Sequence, residues 1–345
     1  MPLKILSFGA GAIGTYIGGS LALSGNSVTF LERPEVAAGL SLSGLRLMLG
    51  DQERSLEKPT LASSLEDALE QGPYDAAIFA LKSFDTPAMI QSLVPHHAEL
   101  PPILCLQNGV ENELLLAEAL GGDKVIPGTV TSAIGRRAAG DIVLERLRGM
   151  GIAAGHPISE SLAAACSQAG LNARLYPSAA AMKWSKMLTN LLANATSAIL
   201  DMTPAEVFNH PGLYRLEIEQ LRETLRVMEA QKITVVDLPG TPVRALAFAV
   251  RRLPAGLSRP LLRNAVQGGR GAKMPSFYID MKSGRGQTEV DALSGAVVRY
   301  GEQLGVPTPV NHLLCETLQG LASGALPLSD YARNPEKLLK SLRRS

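Results

Sequence analysis

Cysteine is scarce: three occur in 345 residues, Cys105, Cys166 and Cys315, odd in number and far apart. A disulfide framework or a zinc site needs paired, closely spaced ligands. The three thiols are therefore expected to be small buried side chains in a reducing cytoplasm. The histidines, His96, His97, His156, His210 and His312, lack metal-ligand spacing, so no metal is expected. Charge of one sign is also missing. Lys+Arg 33 against Asp+Glu 32 leaves +1, too little basic excess for a general nucleic-acid binder. No run of about 18 uncharged apolar residues offers a transmembrane helix. The opening residues lack the apolar stretch and cleavage site of a signal peptide. A cytoplasmic protein with neither nucleic acid nor membrane as partner is the expectation. What is present is a hydrophobic fraction of 46% beside 19% charged residues, enough for a sizeable core. The length suggests two domains of ~150 residues each.

The first strong signal lies at the N-terminus. Lys4–Phe8 is a short apolar run, followed by Gly9-Ala10-Gly11-Ala12-Ile13-Gly14 and a helix-like segment to Leu23. Gly25-Asn26 then ends that helix and Ser27–Leu31 forms a second strand. Strand, glycine turn, helix and strand in this order are the context of a dinucleotide-binding fingerprint. Gly9 permits the tight turn, Gly11 lets backbone approach a pyrophosphate, and Gly14 lets helix and strand pack closely. The anion then rests on free N–H groups at the helix N-terminus. At the end of the second strand an acid bonds a ribose 2′-OH, whereas an arginine accommodates a 2′-phosphate. The chain offers both, Glu32 and Arg33. Glu32 either repels a 2′-phosphate or points to solvent while Arg33 stacks on the adenine; NADP is favoured over NAD.

Asp75–Leu81, Ile103–Leu106 and Lys124–Ile126 read as further strands, the first two ending in Lys82-Ser83 and Gln107-Asn108-Gly109. Ligands of open parallel sheets bind outside the carboxyl ends of strands, which places Lys82 and Asn108 beside the cofactor. The plainer alternatives are a solvated loop lysine and a turn-forming asparagine. Thr129–Ile134, Gly140–Leu144 and Met150–Ala154 suggest late strands, some antiparallel, that finish a domain near residue 175. The expected organisation is thus an α/β chain: a Rossmann-type domain over 1–175 and an all-α domain over 176–345.

In the second half Ala180–Leu200, Gly212–Gln231 and Gln287–Leu304 have helical periods. Lys186, Asn190 and Asn194, spaced i, i+4, i+8, fall within roughly 80° of one another on one helix face. Their neighbours are apolar, and a buried amide without a partner costs about 1–3 kcal/mol. The stripe therefore suits a wet, ligand-filled cleft, although a solvated face would show the same spacing. From Leu238 to Ile279 there is no acidic residue but a run of arginines with Lys273. Such a run is either a solvated face or a means of steering an anionic substrate.

Together these segments resemble the ketopantoate reductase (2-dehydropantoate 2-reductase) family over essentially the whole chain. The similarity rests on Gly9–Gly14, Leu81–Thr86, Gln107-Asn108-Gly109, the Lys186-x-x-x-Asn190-x-x-x-Asn194 helix, Ser276–Asp280, Gly284-Arg285, Thr288–Asp291 and Gly305–Asn311. The resemblance implies an N-terminal Rossmann-type domain and a C-terminal domain like that of 6-phosphogluconate dehydrogenase. It implies NADPH-dependent reduction of 2-dehydropantoate to (R)-pantoate in pantothenate biosynthesis, a small anionic 2-oxo acid as partner, and a homodimer as one possible assembly. Lys186 would be the general acid, with Glu289 near the nicotinamide ribose and the substrate. Asn190, Asn194 and Ser276 would hold the substrate, Asn108 would touch substrate and cofactor, and Ile134 would make a backbone contact to the cofactor. The chain departs from the family pattern at Phe277, where Met is usual, at Lys273, often Asn, and in Gly284–Glu289, one residue longer. These departures bear on the substrate more than on the reaction. The alternatives are a paralogous reductase of another 2-oxo acid or an imine, and a non-catalytic dinucleotide sensor.

Overall fold

The computed structural model describes residues 1–270 and 273–342. The chain divides into two compact units, Met1–Lys183 with Leu238–Thr241, and Trp184–Asp237 with Pro242–Ser345.

The first unit is built on short, strongly apolar strands. They are β1 Lys4–Phe8, β2 Ser27–Leu31, β3 Leu45–Leu49, β4 Gln52–Leu56, β5 Thr60–Ala62 and β6 Ala76–Phe79. After them come β7 Ile103–Cys105, β8 Val125–Val130, β9 Ala133–Ala138, β10 Asp141–Arg146, β11 Met150–Ala153 and β12 Ala173–Tyr176. The main sheet has eight strands in the order β12-β11-β8-β7-β6-β1-β2-β5, all parallel except where β11 runs against β8. Helices α1 Ala12–Leu23, α2 Pro34–Ser43, α3 Leu65–Glu70, α4 Thr86–Leu93, α5 Asn112–Leu120 and α6 Ser159–Gln168 connect them. Because side chains alternate across a strand, each central strand feeds two cores. Ile5, Ile78 and Leu104 pack with Ile17 and Leu21 of α1 and Leu162 of α6. Leu6, Phe8, Phe79 and Ile103 turn the other way, to Leu93 of α4 and Leu116 and Leu120 of α5. Each such side chain, fully buried, contributes about 1.5–3 kcal/mol.

Two details differ from expectation. Thr129–Ile134 is not one strand: β8 ends at Val130 and β9 begins at Ala133, in another sheet. That second sheet, β4-β3-β10-β9, includes a β3–β4 hairpin that the strand pattern did not reveal. Gly50, in a positive-φ conformation (66°), makes its turn.

The second unit is helical, with α7 Ala179–Leu191 (which begins in the first unit), α8 Asn194–Leu200, α9 Pro204–Asn209 and α10 Pro211–Ala230. These are followed by α11 Val243–Arg252, α12 Ala255–Arg270, α13 Ser276–Lys282, α14 Ala296–Leu304, α15 Pro309–Ala322 and α16 Pro335–Leu342. Helix α10 packs against α9, α11, α14, α15 and α16. It also carries two fully buried carboxylates, Glu217 and Glu223, each balanced by donors from a helix N-terminus, where backbone N–H groups lack intrahelical partners. Glu223 accepts from Val310 N (2.8 Å), Asn311 N (2.9 Å) and Asn311 Nδ2 (2.8 Å), capping α15. Glu217 accepts from Ala193 N (2.6 Å) and Thr196 Oγ1 (2.5 Å), capping α8.

That second cap marks a correction. The expected single helix Ala180–Leu200 is two helices, broken at Ala193, whose φ of 53° is left-handed. A non-glycine residue there costs about 1–2 kcal/mol, and the Glu217 bonds offset it. Three arginines of the acid-free run are held by neighbouring residues. Arg244 pairs with Asp237 (2.7 Å), Arg251 with Glu229 (3.8 Å), and Arg259 donates to Phe208 O (3.1 Å) and Asn209 O. The last of these places a cation at the C-terminus of α9, where the helix dipole favours it.

Candidate functional site

In the first unit the site starts from the glycine turn. Gly9 has φ +90°, and a Cβ at Gly14 would lie 2.1 Å from Gly9 O, so both positions exclude side chains. A Cβ at Gly11 would meet nothing within 4 Å. Gly11 is also the N-cap of α1 and supplies no side-chain cap. The loop is braced from below by Ser7 Oγ on Gly9 O (3.1 Å) and Thr15 Oγ1 on Ala10 O (2.8 Å). Bare backbone at a helix N-terminus, open space beside Gly11 and a rigid turn fit a pyrophosphate. Ala12 and Ile13 open α1 and are half-buried.

Glu32 does not point to solvent. Its carboxylate accepts from Ala10 N (2.5 Å) and Arg33 N (3.3 Å), while the Arg33 side chain is exposed. Lys82, half-buried, stands just beyond β6 and caps a short 3-10 turn, Ser83–Asp85. Ile134 sits in β9, paired with Leu144 of β10.

Asn108 follows β7 in a turn that is held from several sides. Gln107 Nε2 donates to Leu81 O (2.9 Å) and Thr86 Oγ1 (2.8 Å), joining the Lys82 and Asn108 strand ends. Asn112 Nδ2 donates to Asn108 O (2.7 Å), and Gly109 has φ +96°. Beneath the turn lies Lys183, whose Nζ meets Gln107 O (2.6 Å), Gly128 O (3.2 Å) and Glu113 Oε1 (2.5 Å). Sequence reasoning assigned Lys183 and Glu113 no role. Cys105, close by, is fully buried, and burial holds its thiol well above the usual range, so it is inert as a nucleophile.

In the second unit Lys186 and Asn190 lie half-buried on α7, one turn apart. Asn194 is buried and its amide is fully engaged. Nδ2 donates to Asn190 O (3.0 Å) and Ser276 Oγ (3.1 Å), and Oδ1 accepts from Phe277 N (3.1 Å). Asn194 thus ties the end of α7 to the N-terminus of α13 and fixes Ser276. Phe277 is wholly buried, so its replacement of the usual methionine is a packing change. Lys273 is exposed and Glu289 is buried, two residues before a π-helical turn at Asp291–Gly295. Among the described residues no group of three or more His, Cys, Asp or Glu could hold a metal ion, and no helix is long and apolar enough to cross a membrane.

A mainly parallel sheet with this glycine turn is the architecture of a dinucleotide-binding domain, followed here by a helical unit rich in buried polar ties. More specifically, the chain belongs to the ketopantoate reductase family. The profile "Ketopantoate reductase PanE/ApbA" matches residues 5–155, and "Ketopantoate reductase PanE/ApbA C terminal" matches 179–322. A 2-dehydropantoate 2-reductase of Halobacterium salinarum is 26% identical over 326 residues, covering 92% of this chain and 98% of its own. The fold is similar to the crystal structure of a PanE/ApbA family ketopantoate reductase from Ralstonia eutropha JMP134 (TM-score 0.78, 24% identity, 93% of this chain and 99% of that one). It is similar too to D-mandelate dehydrogenase with NADH and anilino(oxo)acetate (TM-score 0.75, 22% identity, 93% and 99% covered). Members of the family use NADH or NADPH.

One consequence of the loop is directly measurable. Gly14→Ala should weaken dinucleotide binding by at least ~10-fold, because a Cβ 2.1 Å from Gly9 O forces the turn open. Titration of nicotinamide fluorescence would show it, and an unchanged Kd would mean that the turn is not the pyrophosphate seat.

Proposed function

We propose that the chain reduces 2-dehydropantoate to (R)-pantoate with NADPH, with Lys186 as general acid. The observation that carries this reading is the Asn194 amide, which ties the Ser276 hydroxyl to the backbone carbonyl of Asn190, one helical turn beyond Lys186. Three polar residues held in this way are of little use to a non-catalytic sensor, which needs only the first unit.

Gly9–Gly14 would hold the pyrophosphate, and Lys82 and the backbone at Ile134 would line the remainder of the cofactor site. A bound nicotinamide supplies hydride to the substrate carbonyl carbon. Lys186 then gives one proton to the carbonyl oxygen, so that C=O becomes CH–OH, and regains a proton from solvent. Asn108 and Asn190 donate to the developing alkoxide and to the substrate's polar groups. Ser276 binds the substrate, Asn194 keeps Ser276 in place, and Glu289 accepts from the ribose and substrate hydroxyls.

The preference for NADPH rests on Arg33. Its side chain is exposed, while the neighbouring carboxylate of Glu32 is occupied by the N–H groups of Ala10 and Arg33. Arg33→Ala should raise the Kd for NADPH by ~10-fold and leave NADH within about twofold, as expected for the loss of one charge-assisted phosphate contact. Equal weakening of both cofactors would refute this assignment. The substrate is tested by following NADPH consumption over a panel of 2-oxo acids that includes phenyl-substituted ones. The highest kcat/KM is expected for 2-dehydropantoate; a higher value for a phenyl 2-oxo acid would favour the chemistry named for the D-mandelate dehydrogenase neighbour.

A further inference from the structure

We propose that Lys183 and Glu113 form a buried positioning pair whose task is to set the orientation of Asn108. Lys183 is 5% exposed and Glu113 7%. Lys183 Nζ donates to two backbone carbonyls, Gln107 O and Gly128 O, and lies 2.5 Å from Glu113 Oε1 as an ion pair. One of those acceptors is the carbonyl of the peptide bond that leads into Asn108. The next carbonyl, Asn108 O, is held by Asn112. Both peptide groups that flank the Asn108 Cα are therefore anchored, and Gly109 supplies the left-handed residue that closes the turn.

Stability does not account for an ion pair at this place. Desolvating two charges costs several kcal/mol each, and apolar substitutes of similar volume are often neutral or better. What an apolar pair cannot do is donate to two backbone carbonyls at once. A methionine at position 183 would fill the space and leave Gln107 O without its donor, so the turn would keep its packing and lose its orientation. Glu113 lies against the ammonium as its counter-charge; it is one residue along α5 from Asn112, the other tether of the turn.

The role assigned to Asn108 rests on the reductase reading above, so the test has an arm that needs no turnover. Lys183→Met/Glu113→Leu removes both charges together and should stay folded, its Tm lowered by the two carbonyls left without a donor and raised in part by the relieved charge desolvation. Hydrogen exchange at the amides of residues 107–110 should quicken by ~10-fold or more. With 2-dehydropantoate, kcat should fall by ~10-fold, with the Kd for NADPH within about threefold. In an Asn108→Ala background the same pair of substitutions should cost almost nothing further, as for residues acting through one group. Unchanged exchange in the folded double variant would overturn the proposal. So would a kcat loss of equal size with and without Asn108. If wild type reduces no 2-oxo acid, the functional reading fails, and the exchange arm alone decides whether the pair orients the turn.

Discussion

Lys186→Ala should lower kcat by ~100-fold or more while leaving the Kd for NADPH unchanged, the range expected when a general acid is lost. The two halves of that expectation have separate origins. Lys186 lies on α7 in the second unit, whereas the glycine turn, Arg33 and Lys82 belong to the first, so removing its ammonium touches no proposed cofactor contact. The chemistry needs a proton at the moment when charge develops on the carbonyl oxygen, and Asn190 and Ser276 are weak acids that donate hydrogen bonds only. KM should rise modestly, because a 2-oxo acid also loses a cation. A small alkylammonium ion in solution should restore part of kcat in Lys186→Ala and none in wild type. A variant with near-normal kcat would remove Lys186 from the mechanism; a collapse of NADPH binding would point to a structural defect instead.

The largest expected effect on stability comes from Glu223→Ala. Two backbone donors, Val310 N and Asn311 N, would lose their acceptor in a fully buried place, and Asn311 Nδ2 would keep only Gln220 O. At about 1–3 kcal/mol for each unsatisfied group, reduced by partial relaxation, the loss is ~3–5 kcal/mol. For a unit of this size that corresponds to a Tm lower by roughly 10 °C. The loss has a pH signature. Burial raises the Glu223 carboxyl above its ordinary value, against the opposing effect of the three donors. A carboxyl whose folded pKa is raised contributes fully below its unfolded pKa and progressively less as pH rises through the folded one. The Tm gap between wild type and Glu223→Ala should therefore be wider in mildly acid solution than at pH values above neutrality. A gap that widens toward alkaline pH would contradict the burial argument.

The legible parts of the molecule were those in which local backbone constraint and function coincide. Gly9, Gly11 and Gly14 stand at spacings that a turn, an approach and a helix contact each require; Gly9 has φ +90°, Gly14 packs on Gly9 O, and Gly11 has open space beside it. The first two strands were readable because their apolar runs are bounded by glycine and asparagine. The β3–β4 hairpin was not, since Gln52–Leu56 is almost wholly exposed and shows little apolar alternation. The break between α7 and α8 had no local signal at all. Leu192-Ala193 is ordinary helix-forming text, and the groups that hold the break belong to Glu217, 24 residues away. Lys183 was hidden for the same reason: its partners Gln107, Glu113 and Gly128 are 55 to 76 positions distant. Asn194 was legible as a polar residue in an apolar helix, but only its three bonds show that it braces Ser276.

The segment Leu238–Thr241 belongs to the first unit although it lies between helices α10 and α11 of the second. Thr131 Oγ1 donates to Pro239 O (2.9 Å), and Pro239 packs beside Gly149. The polypeptide thus passes from one unit to the other three times, at residues 183, 237 and 241. A gene fragment ending at residue 183 encodes the nucleotide-binding unit without four of its own residues. Protease nicking between the units would leave that unit in two pieces, and recombination at a single crossover would give each chimera a mismatched strap.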